Sequence, residues 1–60
     1  MLKIEEFEAI RLADREGFYQ DKAAKEMNIS RPTFARILKH ARHKVAEAIV
    51  AGKIIRIMYL

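Results

Sequence analysis

Pro32, the only proline among the 60 residues, is the feature that most restricts how this chain folds. It lies in the stretch NISRPTFARI, which otherwise has the composition of a helix. Proline inside a helix costs roughly 3 kcal/mol, but in the first turn it costs little, because the amide that it lacks would have no partner there. Ser30, two residues earlier, is a preferred N-cap residue. The stretch therefore predicts a helix that begins after Ser30.

The segment that follows carries one apolar stripe at helical spacing. It predicts a helix over residues 31–51, which Gly52 would end in a left-handed conformation. Two further helices are predicted over residues 4–15, ended by Gly17, and over residues 20–27. The stripe of the long helix comprises Phe34, Ile37, Leu38, Ala41, Val45, Ala48 and Ile49.

The C-terminal stretch KIIRIMYL consists mainly of β-forming residues and predicts a strand over residues 53–59. We therefore expect a single domain over residues 1–60, all-α and trihelical, with a short C-terminal β-strand. Such a strand has no pairing partner in its own chain except the N-terminal MLKI, so it offers an edge to another molecule. The alternative is a tail that packs on the first helix without pairing. We expect a homodimer formed through Ile54, Ile55, Ile57, Met58 and Tyr59.

Positive charge is concentrated in the second half of the chain. The net charge is +4, yet residues 1–17 contain three basic and five acidic side chains. Between Asn28 and Ala46 every charged side chain is lysine or arginine, with two histidines among them. A solvated helix face would usually interleave glutamates. The pattern therefore indicates a polyanionic partner.

The run from Gln20 to Ile37 has the residue spacing of a helix-turn-helix. A small residue, Ala24, stands where the second helix would cross the first, and Asn28 can adopt the left-handed turn conformation. Ile29 would fill the angle between the helices, while Phe34 and Ile37 would face inward. In this motif the second helix enters the major groove of DNA and the first crosses the backbone. Double-stranded DNA is therefore the expected partner.

Base contacts are expected from the start of the second helix. Arg31 or Arg36 would donate to guanine O6 and N7, and Thr33 or Ala35 would contact a thymine methyl group. The outward face of this helix carries Arg31, Pro32, Thr33, Ala35, Arg36, Lys39, His40 and His43.

Phosphate contacts are expected further along the same helix, from Lys39, Arg42 and Lys44. The amides at the start of the preceding helix, near Gln20, would also face phosphates. His40 and His43 would add affinity for phosphate as the pH falls, since histidine gains its charge near neutrality.

Three strings carry a resemblance to a known family: EAIRLAD, AAKEMNISRPTFARIL and ARHKVAEAIVAGK. Over Leu2 to Ile57 the chain resembles the predicted DNA-binding family called domain of unknown function 134. The resemblance implies a helix-turn-helix similar to region 4 of bacterial sigma factors and a role in transcription. The DNA contacts that it implies are Ser30, Arg31, Thr33 and Arg36.

Other function classes find less support. No nucleophile, carboxylate pair or glycine-rich loop indicates an enzyme or a cofactor, and His40, His43 and Glu47 without cysteine make a weak metal set. RNA binding lacks a sheet with exposed aromatic residues. The main alternative is a protein-interaction module that binds RNA polymerase or a regulator and has only non-specific affinity for DNA. With no cysteine, no secretory signal and no stretch near the ~18 apolar residues that span a membrane, we expect a cytoplasmic protein.

Overall fold

A computed structural model describes residues 1–58. Three helical segments form a trihelical helix-turn-helix fold, and two very short strands join the ends of the described chain. The helices are α1 (Ile4–Ile10, continued by a π-helical turn over Arg11–Arg15), α2 (Gln20–Glu26) and α3 (Arg31–Ala51); the strands are β1 (Leu2–Lys3) and β2 (Ile57–Met58).

The start and end of α3 follow from its capping residues. Ser30 is extended (φ −74°, ψ 156°), and its side-chain oxygen accepts the Thr33 amide at 3.3 Å. Pro32 lies in the first turn, where its missing amide costs nothing. At the other end Gly52 has φ 68°, and the Lys53 amide donates back to the Ala48 carbonyl at 2.7 Å. The predicted bounds of this helix are therefore confirmed.

The first helix differs from prediction in its last turn. Residues 4–15 are helical as expected, but the Glu16 amide donates to the carbonyl of Arg11, five residues back, at 2.9 Å. This wider turn precedes Gly17, whose φ of 75° confirms the predicted left-handed stop.

The core lies where α3 crosses α1 and α2. Phe34, Ala9 and Ala23 are fully buried, so the alanines let the helices approach closely around one aromatic ring. The apolar stripe of α3 is buried as far as Ala48, whereas Ile49 is 71% exposed. The predicted stripe is therefore one residue too long, since Ile49 is not among the residues packed against the core.

The C-terminal strand is shorter than predicted and pairs within the chain. β2 contains only Ile57–Met58 and runs parallel to β1, with Leu2 opposite Ile57. The Leu2 amide donates to the Arg56 carbonyl at 2.7 Å. Because α1 begins at Ile4, β1 offers only two residues for pairing, which limits the length of β2. The expected strand over residues 53–59 is thus wrong for residues 53–56, and Tyr59 lies outside the described residues.

No helix within residues 1–58 combines the length and the apolar content needed to cross a bilayer.

Candidate nucleic-acid interface

The turn between α2 and α3 has the geometry that the sequence predicts. Asn28 has φ 58°, the left-handed conformation that asparagine tolerates better than most side chains. The Ile29 amide then donates to the Ala24 carbonyl at 3.0 Å, and the Ile29 side chain packs against the core. Ala24 is 3% exposed, which leaves room for α3 to cross α2 closely. The turn thereby holds the outward face of α3 away from the core.

Basic side chains occupy the middle of that outward face. Arg36, Lys39, His40 and His43 are exposed and together line one shallow depression on the surface of α3. In the described part of the chain, none of them forms an ion pair with a carboxylate. These four residues, which we call the basic face, therefore present donors to solvent, and two of them, Arg36 and His40, also line a second depression with Glu5 and Glu6.

The start of α3 continues this surface. Arg31 and Pro32 are exposed, and Thr33 and Ala35 are half-buried. Ser30 is exposed, but its hydroxyl donates to the Thr33 hydroxyl at 2.9 Å, in addition to capping the helix. The polar groups of Ser30 and Thr33 are therefore hydrogen-bonded to each other in the chain without DNA. Arg31 forms an ion pair with Asp21 of α2, with 3.1 Å between Nη1 and Oδ1.

Arg42 does not belong to the basic face, although the sequence groups it with Lys39. Its guanidinium donates to both carboxylate oxygens of Asp14, at 2.6 Å from Nη2 and 3.2 Å from Nε. This bond to Asp14 raises the pKa of Arg42. Asp14 lies in the π-helical turn after α1, so the pair joins α1 to the middle of α3.

Lys44 is also bonded to other parts of the fold. Its ammonium group donates to Glu6 at 2.9 Å and to the Met1 carbonyl at 3.1 Å. The Glu6 side chain is 8% exposed and also accepts the Lys3 amide at 2.8 Å. Burial by itself raises the pKa of Glu6, but the bonds from Lys44 and Lys3 outweigh that effect and lower it. The phosphate contacts predicted for Arg42 and Lys44 therefore compete with partners that sequence spacing does not reveal.

The N-terminus of α2 carries a residue that the sequence analysis did not single out. Gln20, the first residue of α2, is half-buried, whereas Tyr19 before it is 89% exposed. Tyr19 contributes no side-chain cap to α2, so its hydroxyl has no role within this helix end. The sequence feature that could have indicated this residue is an aromatic side chain directly before the first helix of the motif.

Apolar side chains remain exposed near the C-terminal segment. Ile54 is 85% exposed, Ile55 and Met58 are roughly half exposed, and Ile57 is half-buried beside Leu2. Two residues of this segment also line an apolar groove that includes two arginines; its lining is Leu2, Phe7, Ile10, Arg11, Arg15, Val45, Ile55 and Ile57.

Within residues 1–58, no three histidine, cysteine, aspartate or glutamate side chains are grouped so that they could hold a metal ion. His40 and His43 instead share their depression with Arg36 and Lys39.

Comparison with known proteins identifies the family of the chain. It is 58% identical over 57 residues to a UPF0251 protein of Moorella thermoacetica, covering 95% of this chain and 38% of that protein. A UPF0251 protein of Caldicellulosiruptor saccharolyticus is 59% identical over 56 residues, 93% of this chain and 40% of its own length. One from Chlorobium chlorochromatii is 55% identical over 53 residues, 88% of this chain and 30% of its own length.

The chain thus spans well under half the length of these three relatives. No solved structure matches it significantly. The family described as "Protein of unknown function DUF134" matches residues 1–58. On that match over nearly its whole length, and on identities above 50% to the UPF0251 proteins, the chain belongs to the DUF134 family.

Proposed function

We propose that this chain binds double-stranded DNA by inserting α3 into the major groove, and that it regulates transcription as a homodimer. The observation that supports the proposal best is the basic face, Arg36, Lys39, His40 and His43, exposed on one helix and unpaired within the described residues. A surface of this sign attracts a polyanion.

The dimensions of α3 suit a major groove. Its 21 residues make a rod about 30 Å long. A major groove about 12 Å wide accepts such a helix. Arg31 and Arg36 lie in the first two turns, where side chains of a recognition helix reach base edges. Lys39, His40 and His43 follow within the next two turns and would meet the flanking phosphates.

Arg42 and Lys44 have a different role in this proposal. Both already donate to carboxylates of the α1 region, so we assign them to the stability of the fold rather than to DNA. Replacing either would alter the anchoring of α3 before it altered the charge that faces a duplex.

The homodimer is proposed on the exposed apolar side chains near the C-terminus. Ile54 and Met58 stay in solvent although β2 already pairs with β1, and Val50 at the end of α3 is 87% exposed. Two copies joined there would carry two recognition helices and favour pseudo-palindromic sites.

Regulation of transcription implies access to the chromosome, so the proposal includes a cytoplasmic location.

The apolar groove beside α1 favours a second candidate function. Its lining from Phe7, Ile10 and Val45, with Arg11 and Arg15 at the rim, would accept an apolar segment of a protein such as RNA polymerase or another regulator. In that case the basic face would supply only non-specific attraction to DNA.

Selection of bound duplexes from a random pool distinguishes the two functions. The proposed function predicts an enriched motif, repeated as two half-sites about one helical turn apart. Recovery of random sequences whose binding disappears at moderate salt would contradict specific recognition and favour the protein-interaction module.

A further inference from the structure

An ion pair at the tip of the helix-turn-helix links its two helices. Asp21 lies in the first turn of α2 and Arg31 is the first residue of α3, with 3.1 Å between Oδ1 and Nη1. Both side chains are strongly exposed, Asp21 at 74% and Arg31 at 65%. An exposed pair of this kind contributes little to folding, since each group is well solvated without the other.

The position of Asp21 is unfavourable for general attraction to DNA. The first helix of the motif crosses the phosphate backbone, so a carboxylate in its first turn repels every duplex alike. Asp21 therefore needs a compensating benefit if this end of the molecule contacts DNA.

The guanidinium geometry of Arg31 supplies that benefit. Arginine has five donor N–H bonds in a planar fork, and its contact with Asp21 is through Nη1 at 3.1 Å. In the described residues no other carboxylate pairs with Arg31, so donors of the fork remain for a bidentate acceptor such as guanine O6 and N7. While this ion pair is formed, the arginine has less side-chain freedom left to lose when it binds a base.

We propose that Asp21 is a specificity-determining residue that orients Arg31 for a guanine, at the expense of affinity for DNA of any sequence. This inference rests on the proposed function and assigns a role to a residue of α2 that does not itself contact a base. Asp21 thus acts as a positioning residue, and Arg31 reads the base pair.

The test compares the discrimination of variants between the selected duplex and a duplex changed at one base pair. That base pair is the one at which Arg31→Ala loses its preference. We expect Arg31→Ala to discriminate between the two duplexes about tenfold less than wild type, or weaker still. Asp21→Asn should bind random duplex more tightly than wild type, yet discriminate at this base pair about threefold less. The control Glu26→Gln removes the same charge from α2, away from Arg31, and should leave discrimination unchanged.

Combining the variants tests the mechanism. In Arg31→Ala, the further change Asp21→Asn should not alter discrimination, because the group that it orients is gone. If Asp21→Asn discriminates as well as wild type, this inference is overturned and the proposed function is not. The same follows if Arg31→Ala keeps its discrimination at every base pair. Failure of the wild-type protein to bind any duplex would overturn the proposed function, and this inference with it.

Discussion

Asp14 and Arg42 lie 28 positions apart in the sequence and form a two-bond ion pair, at 2.6 Å and 3.2 Å, between the π-helical turn and α3. Asp14 lies in the π-helical turn, on the segment that faces α3. Because its carboxylate accepts two bonds from one guanidinium, both side chains are held in one relative geometry. The pair is exposed by about half, so its stabilising effect is modest.

We expect Asp14→Ala to lower the free energy of unfolding by about 0.5–1 kcal/mol. Urea denaturation of Asp14→Ala, Arg42→Ala and the double variant would measure the coupling between the two residues. Additive effects of the two single changes would show that the pair contributes nothing. Affinity for DNA should be nearly the same in Asp14→Ala as in the wild-type protein under conditions in which both are folded.

The fold was predictable where local chemistry decides it. Ser30, Pro32 and Gly52 set the bounds of α3 through capping, and Gly17 and Asn28 set the turns through their backbone preferences. These preferences act within a few residues and need no knowledge of the rest of the fold.

The parts that could not be predicted depend on contacts distant in sequence. The pairing of Leu2 with Ile57 joins residues 55 positions apart. The sequence offers the N-terminal MLKI as a partner within the chain, but strand propensity alone does not decide between it and a second molecule. The ion pairs of the basic residues could not be predicted for the same reason. Arg42 and Lys44 are positively charged and lie on the same helix as Lys39. Only the position of the α1 region in the fold shows that these two have carboxylate partners.

Glu6 gives the stability of the fold a pH dependence. The pKa of Glu6 is lower in the folded chain than its ordinary value of 4.5. The ionised carboxylate therefore stabilises the fold fully above pH 4.5, and this stabilisation is lost as the pH falls through the lowered pKa. Glu6→Gln should therefore cost about 1–2 kcal/mol at neutral pH, where it removes the charge that Lys44 and the Lys3 amide contact. Denaturation curves recorded from pH 7 to pH 3 should converge for the two proteins. A constant difference over that range would refute the role of the charge.

The Ser30 cap allows stability and DNA binding to be separated. Ser30→Ala removes the acceptor of the Thr33 amide and should cost about 1 kcal/mol. Ser30→Asp keeps an acceptor there and should retain stability close to wild type, because a carboxylate is favourable at a helix N-terminus. It also adds a negative charge at the end of α3 that faces DNA in the proposed complex, so affinity for duplex should fall several-fold. Equal affinity of Ser30→Asp and wild type would argue against that orientation.

The oligomeric state tests the role of the C-terminal segment. Ile54 is 85% exposed, so Ile54→Lys should leave the stability of the single chain almost unchanged while it places a charge in the proposed dimer contact. Sedimentation velocity should find a dimer for the wild-type chain and a monomer for Ile54→Lys. Tyr19→Lys, a change at a residue that is 89% exposed near the start of α2, is the matched control and should remain dimeric. A monomeric wild-type chain would exclude this dimer.

The basic face is tested most directly by fluorescence-anisotropy titration of a selected duplex over a range of salt concentrations. Arg36→Ala combined with Lys39→Ala should weaken binding at least tenfold and reduce the salt slope by about 1–2. Arg15→Ala combined with Lys53→Ala removes the same charge from other parts of the surface and should leave both quantities near wild type. If the two double variants bind alike, or if the wild-type protein shows no salt-dependent binding at all, α3 does not enter the groove as proposed.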